Sequence, residues 1–326
     1  MQKPASWLEN TCRTDDPLRA KLPALNPGSA GYLLIRSRHS VAHAECKKTP
    51  WWLWWNLFCM DAPTVAGLWA FLFARESGVS TYLPSIAVLV VLVWVIYTSD
   101  RVLDARKGAN RAALKDRHLF CAAHRISLTF LLLVGAAGTL WFAYQYLRRE
   151  ELEAGMILGA IVVVYMICVH AGRPAILPRV PKEVAVGALF AAGTTLPLWS
   201  NAFCLSWYAV LVWALFAAVC ALNCLAIECW EDNRLGIRWE LDPHPFLAWI
   251  DPRLSRIAVC LIACSMMVWL NIPDRRYQGG VLGMCIASLL TMLLNSARTR
   301  LSCRLLRVLA DAALVIAAIL GIAFRS

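Results

Sequence analysis

Charge is scarce in this chain. Only 16% of its 326 residues are Asp, Glu, Lys or Arg, and 60% are hydrophobic. A soluble domain carries about 25% charged and roughly 45–50% apolar residues, so an ordinary water-soluble globule is excluded. Paired cysteine motifs are missing as well: thirteen cysteines occur without one Cys-x-x-Cys. That argues against a zinc ribbon or a dithiol redox centre, and the cysteines read as small buried apolar residues. The first 50 residues have no apolar core, which argues against a cleavable signal peptide. With Pro4, Pro17, Pro23 and Pro27 and no sustained period, residues 1–50 read as a disordered cytoplasmic tail ahead of a membrane domain over 51–326.

What the chain does have is long apolar runs. Nine read as membrane spans: Trp51–Phe73, Tyr82–Ser99, Ile126–Leu147, Ala154–Ala171, Val184–Ser200, Leu205–Ile227, Ile257–Asn271, Gly279–Asn295 and Leu305–Phe324. The expected fold is therefore an all-α integral membrane bundle of nine helices. A net charge of +11 could suggest nucleic acid, but its placement points to topology. With the N-terminus inside, 26 of the 32 Lys and Arg fall on the inner side and 6 on the outer. That bias predicts a cytoplasmic N-terminus and an external C-terminus, as in a bacterial inner membrane. Trp51, Trp52, Trp54 and Trp55 read as an interfacial anchor. Nucleic acid is not expected as a partner; a bilayer is.

Two stretches break the apolar pattern in the same way. The second span runs into Asp100-Arg101-Val102-Leu103-Asp104, and the sixth into Glu228-Cys229-Trp230-Glu231-Asp232. Spacing of four puts each acidic pair on one helix face, a turn apart. Positions 100 and 228, 104 and 232, Arg106 and Arg234, and Gly108 and Gly236 share an offset of 128, which spans four helices and indicates a parallel repeat. Four carboxylates at membrane depth need cations to offset them. A hard divalent ion such as Mg²⁺ suits oxygen ligands and commonly bridges carboxylates to phosphates. Lipid diphosphates meet both demands, with a head for the cation and a tail for the bundle.

These residues resemble the motifs of the UbiA superfamily of intramembrane prenyltransferases. Asp100-Arg101-Val102-Leu103-Asp104 is similar to the latter part of its first motif, Asn-Asp-x-x-Asp-Arg-x-x-Asp. Glu228, Asp232 and Gly236 resemble its second, Asp-x-x-x-Asp followed by Gly, with Glu for the first Asp. Asp61-Ala62-Pro63 is similar to its Asp-Lys-Pro region, and Tyr165 with Arg173 to its Tyr-to-Lys/Arg stretch. The resemblance covers roughly residues 51–326. It implies a helical bundle with a central cavity and Mg²⁺-dependent transfer from a prenyl diphosphate to a lipophilic acceptor. It further implies Asp100, Asp104, Glu228 and Asp232 as catalytic metal ligands. Diphosphate or substrate contacts would come from Arg101, Arg106, Lys107, Tyr165, Arg173, Asp61 and Asn223. Ile96 and Tyr97 stand where the motif has Asn and Asp, and Ala62 where it has a basic residue. Those departures keep open a non-catalytic relative that binds a lipid or an assembly partner. A transporter using Asp61 and Asp311 as ion or proton sites also stays open.

Overall fold

The computed structural model describes residues 50–78, 83–107, 116–170, 182–196, 207–235, 245–272 and 275–324. Every regular element among them is helical: α1 (Trp51–Leu57), α2 (Asp61–Ser77), α3 (Leu83–Lys107), α4 (Asp116–Ala123), α5 (Arg125–Tyr146), α6 (Arg149–His170), α7 (Lys182–Thr194), α8 (Trp207–Leu235), α9 (Pro245–Ile250), α10 (Leu254–Asn271), α11 (Gln278–Ser296) and α12 (Cys303–Phe324). Backbone polar groups in a bilayer must be satisfied within each segment, which selects helices. The chain is a membrane protein by this measure. Seven stretches are long and apolar enough to cross: Leu83–Ala105, Arg125–Tyr146, Arg149–His170, Trp207–Glu231, Phe246–Asn271, Arg275–Ser296 and Cys303–Phe324.

The first and fifth of the nine expected spans differ from their sequence outline. The first is broken in two. After α1 the chain bends at Phe58–Met60, where Cys59 adopts a left-handed backbone (φ 61°), and α2 restarts at Asp61 with Pro63 in its first turn. Proline is tolerated there because first-turn amides lack helical partners. At 17 residues, α2 is about 25 Å long, and the 13 residues of α7 reach about 20 Å. Both fall short of the roughly 30 Å apolar layer. Gly78 closes α2 in the left-handed conformation (φ 71°), its amide bonding back to the last turn.

Burial separates the centre of the bundle from its rim. Half of the most apolar window of α8 is buried, and none of that of α6. The hairpin of α5 and α6 instead presents Phe130, Leu133, Trp141, Ile157 and Val164 outward, as a lipid-facing surface does. At the core, Phe216 of α8 packs at a tilt against Trp69 and edge-on against Phe73 of α2, and Trp69 Nε1 donates to the Leu314 carbonyl at 3.1 Å. Lipid tails are as apolar as these side chains, so close packing has to supply the association. Small residues permit it. A Cβ on Gly279 would sit 2.6 Å from the Gly321 carbonyl oxygen, and one on Gly187 2.6 Å from the Ala221 amide nitrogen. These contacts lock α11 to α12 and α7 to α8. The short helix α4 packs Phe120 and Cys121 against Leu53, Leu57 and Val102.

Candidate functional site

Polar side chains gather where α3, α6 and α8 end and where α2, α7 and α12 begin. They form two groups. α3 feeds both, because Asp100 and Asp104 lie on one of its faces while Tyr97 and Arg101 lie on the adjacent one.

The first group is acidic. His170, the last residue of α6, places Nε2 3.0 Å from Asp100 Oδ1 and Nδ1 3.9 Å from Asp104 Oδ1. Its ring is only 9% exposed, whereas the two aspartates are 39% and 40% exposed. One donor atom from each of Asp100, Asp104 and His170 fits within a sphere of contacts no wider than 4.8 Å. Lys182, at the start of α7, joins this group to the second acidic motif. Burial alone would lower the pKa of its ammonium, but the carboxylates of Glu228, Glu183, Asp104 and Asp100 together raise it. Asp100 and Glu228, 128 positions apart, thus act on one lysine. The Tyr165 hydroxyl donates to the Lys182 carbonyl at 3.4 Å, tying α6 to α7 beside the same carboxylates. Lys182 Nζ itself pairs with Glu183 Oε1 at 3.9 Å.

The second group is built around arginines. Arg101 is buried (2% side-chain exposure) and pairs with buried Asp61 at 3.4 Å. It also donates to the Asn56 carbonyl at 2.7 Å, to Cys59 Sγ, and to the Tyr97 hydroxyl. Asn56 Nδ2 donates to Asp61 at 2.6 Å; the bend at Cys59 is what brings those two residues together. Tyr97 in turn donates to Asp61 and accepts from Arg307, each at 3.3 Å. Arg307 closes the far side by donating to Glu231 at 2.9 Å. Asn223 of α8 donates to Asp311 at 3.4 Å. A cavity of about 230 Å³ adjoins this group, lined among others by Trp52, Trp55, Asp61 and Asp311.

The expected site residues therefore divide. Asp100 and Asp104 meet at His170, and they and Glu228 act on the charge of Lys182, whose carbonyl Tyr165 holds. Arg101, expected on diphosphate, is turned away from the acidic group and consumed by Asp61, because its position one residue past Asp100 swings it about 100° around the helix. Asp61 and Asn223 belong with it. Asp61 is not solvated in a headgroup zone, and Asp311 has the hydrogen-bonded interior setting its sequence context suggests. None of Asp100, Asp104 or Glu228 lines the 230 Å³ cavity, so that cavity is not the expected central one at the acidic motifs. Asp232 sits in the last turns of α8, and Arg106 and Lys107 end α3; their side chains lie outside the described set, as does Arg173 entirely. His170 and Lys182 were not among the site residues expected from the sequence. The signal available for both was their position, at span ends on the Asp100 side.

No protein-family profile, curated protein or solved structure matches the chain.

Proposed function

We propose that this protein is an intramembrane transferase of the UbiA type, moving a prenyl group from a prenyl diphosphate to a lipophilic acceptor. The observation that supports it is the gathering of Asp100, Asp104 and His170 donor atoms within 4.8 Å of one another at one end of an apolar bundle, with the Glu228 carboxylate acting on the nearby Lys182. In this reading that end faces the cytoplasm, and α2 and α7 complete a nine-helix arrangement. A divalent cation, Mg²⁺ by resemblance, would be held by Asp100 and Asp104 with His170 beside them, and by Glu228 and Asp232 on the facing helix. When bound, it supplies charge stabilisation for the departing diphosphate. The chain's own part is to bind and orient. Lys182 meets the anionic head, and Tyr165 fixes Lys182 by holding its carbonyl. The apolar helices take the isoprenoid tail and keep water from the reacting carbon.

The test is transfer itself. Purified protein is incubated with radiolabelled prenyl diphosphates of several lengths, divalent cation and a membrane extract, beside Asp100→Asn and Glu228→Gln. Metal-dependent lipid product from wild type alone supports the assignment; a wild type without product overturns it. A second reading draws on Tyr97 and Arg101, which occupy a motif position with a closed structural network. It makes the chain a non-catalytic lipid-binding relative, and saturable diphosphate binding without turnover would select it.

A further inference from the structure

The donors that meet at the end of α3 are not all oxygens. An acidic pair on a helix is common and by itself binds nothing. His170 is the independent observation. Its side chain is nine-tenths buried, and Nδ1 has no hydrogen-bond partner among the described residues. That nitrogen faces Asp104 at 3.9 Å, while Nε2 contacts Asp100 at 3.0 Å. The ring is thus clamped between two carboxylates, the arrangement that orients a metal-binding imidazole. A buried ring nitrogen left unpaired carries a desolvation cost that a coordinated ion would remove.

Donor chemistry then bears on the identity of the ion. Magnesium favours all-oxygen shells, keeps its waters and gains little from imidazole. First-row transition-metal dications accept carboxylate and imidazole together, and bind nitrogen donors more strongly along the series from Mn²⁺ to Zn²⁺. Asp100, Asp104 and His170 offer two oxygens and one nitrogen within 4.8 Å of one another. This leaves the outward side, where both aspartates are about two-fifths exposed, open for water or a phosphate oxygen.

We infer that Asp100, Asp104 and His170 form a binding site for a first-row transition-metal dication that prefers Mn²⁺ or Zn²⁺ over Mg²⁺. This rests on the transferase reading only for what the ion would do, not for its being bound.

The experiment is metal binding by the full-length protein in detergent. Free Mn²⁺ is followed by electron paramagnetic resonance during titration, then displaced with Mg²⁺ or Zn²⁺. One Mn²⁺ site is expected, with Mg²⁺ needed at about a hundredfold higher concentration than Mn²⁺ to halve occupancy, and Zn²⁺ at or below that of Mn²⁺. His170→Ala is expected to weaken Mn²⁺ about 10–100-fold while leaving the weak Mg²⁺ affinity in place. Asp100→Asn weakens both ions. Mg²⁺ displacing Mn²⁺ at equal concentration overturns the inference even if every variant fails to fold, since that comparison uses wild type alone. Unchanged metal preference in a folded His170→Ala protein overturns it too, as does the absence of any Mn²⁺ site. Metal binding as expected, without prenyl transfer under any metal, leaves the site standing and removes the transferase reading. Transfer supported by Mg²⁺ with no preference for Mn²⁺ or Zn²⁺ does the reverse.

Discussion

Neighbouring faces of α3 lead into opposite kinds of polar surroundings. Asp100 and Asp104 are about two-fifths exposed and flank the buried ring of His170. Arg101 and Asp61 are 2% and 5% exposed and sit where Arg101 and Arg307 nearly balance Asp61, Glu231 and Asp311. The open group is partly exposed and, among the described residues, keeps one buried His170 nitrogen without a hydrogen-bond partner, as the proposed metal site requires. The closed group pairs Arg101 with Asp61 and Arg307 with Glu231 out of solvent, and its hydrogen bonds through Asn56 and Tyr97 make it a structural joint between α1, α2, α3, α8 and α12. Side chains one residue apart thus divide between chemistry and architecture.

Substitutions break this contrast in a definite order. Under the proposed transferase function, Asp100→Asn carries the largest effect: metal-dependent transfer is expected to fall about a thousandfold, equivalent to about 4 kcal/mol of barrier. The melting temperature in detergent stays near wild type, and an equal loss of stability would refute the division. Arg101→Ala acts on the other side of the contrast. It strands Asp61 in the interior and costs about 3–5 kcal/mol of stability, read by thermal unfolding. Arg101→Lys does not restore it, since an ammonium cannot serve Asp61, the Asn56 carbonyl and Tyr97 in one planar fork. Removing both charges with Arg101→Met and Asp61→Leu is less damaging than the sum of the single changes. Gly187→Ala, which drives a methyl to 2.6 Å from the α8 backbone, costs about 1–3 kcal/mol and leaves metal affinity unaltered. Under the same proposed function, Lys182→Met is expected to raise the KM for prenyl diphosphate about tenfold at similar kcat, as loss of one charge-assisted contact of about 1.4 kcal/mol would. The smallest effect belongs to Ser85→Ala at the opposite end of α3, where the hydroxyl donates to buried Glu151 at 3.0 Å. Glu151 keeps Arg148 at 2.7 Å, so about 1 kcal/mol is lost, with no change in transfer.

Much of the architecture was legible from hydropathy. Of the nine spans read from the sequence, all but the first and fifth meet a crossing helix of sufficient length, because length and apolarity are properties of a continuous segment. The break at Phe58–Met60 was not visible: Cys59 carries no turn signal, and the bend exists because Asn56, Asp61 and Arg101 bond across it. The acidic motifs stood out as charge in an apolar context, so Asp100, Asp104 and Glu228 were identifiable before any coordinates. His170 and Lys182 did not stand out, as a lone histidine or lysine at a span end looks like any other boundary residue. Adjacency in sequence to Asp100 suggested a shared task for Arg101, and helical geometry turns it to Asp61 instead.

Hydropathy and charge placement, which need no neighbours in space, make this a helical membrane protein with acidic residues at two span ends. Which polar groups meet there was decided by packing. The azimuth of a side chain on its helix, and the helix it then faces, depend on how α3 seats against α1, α2, α6 and α7, and no local sum along the chain contains that information.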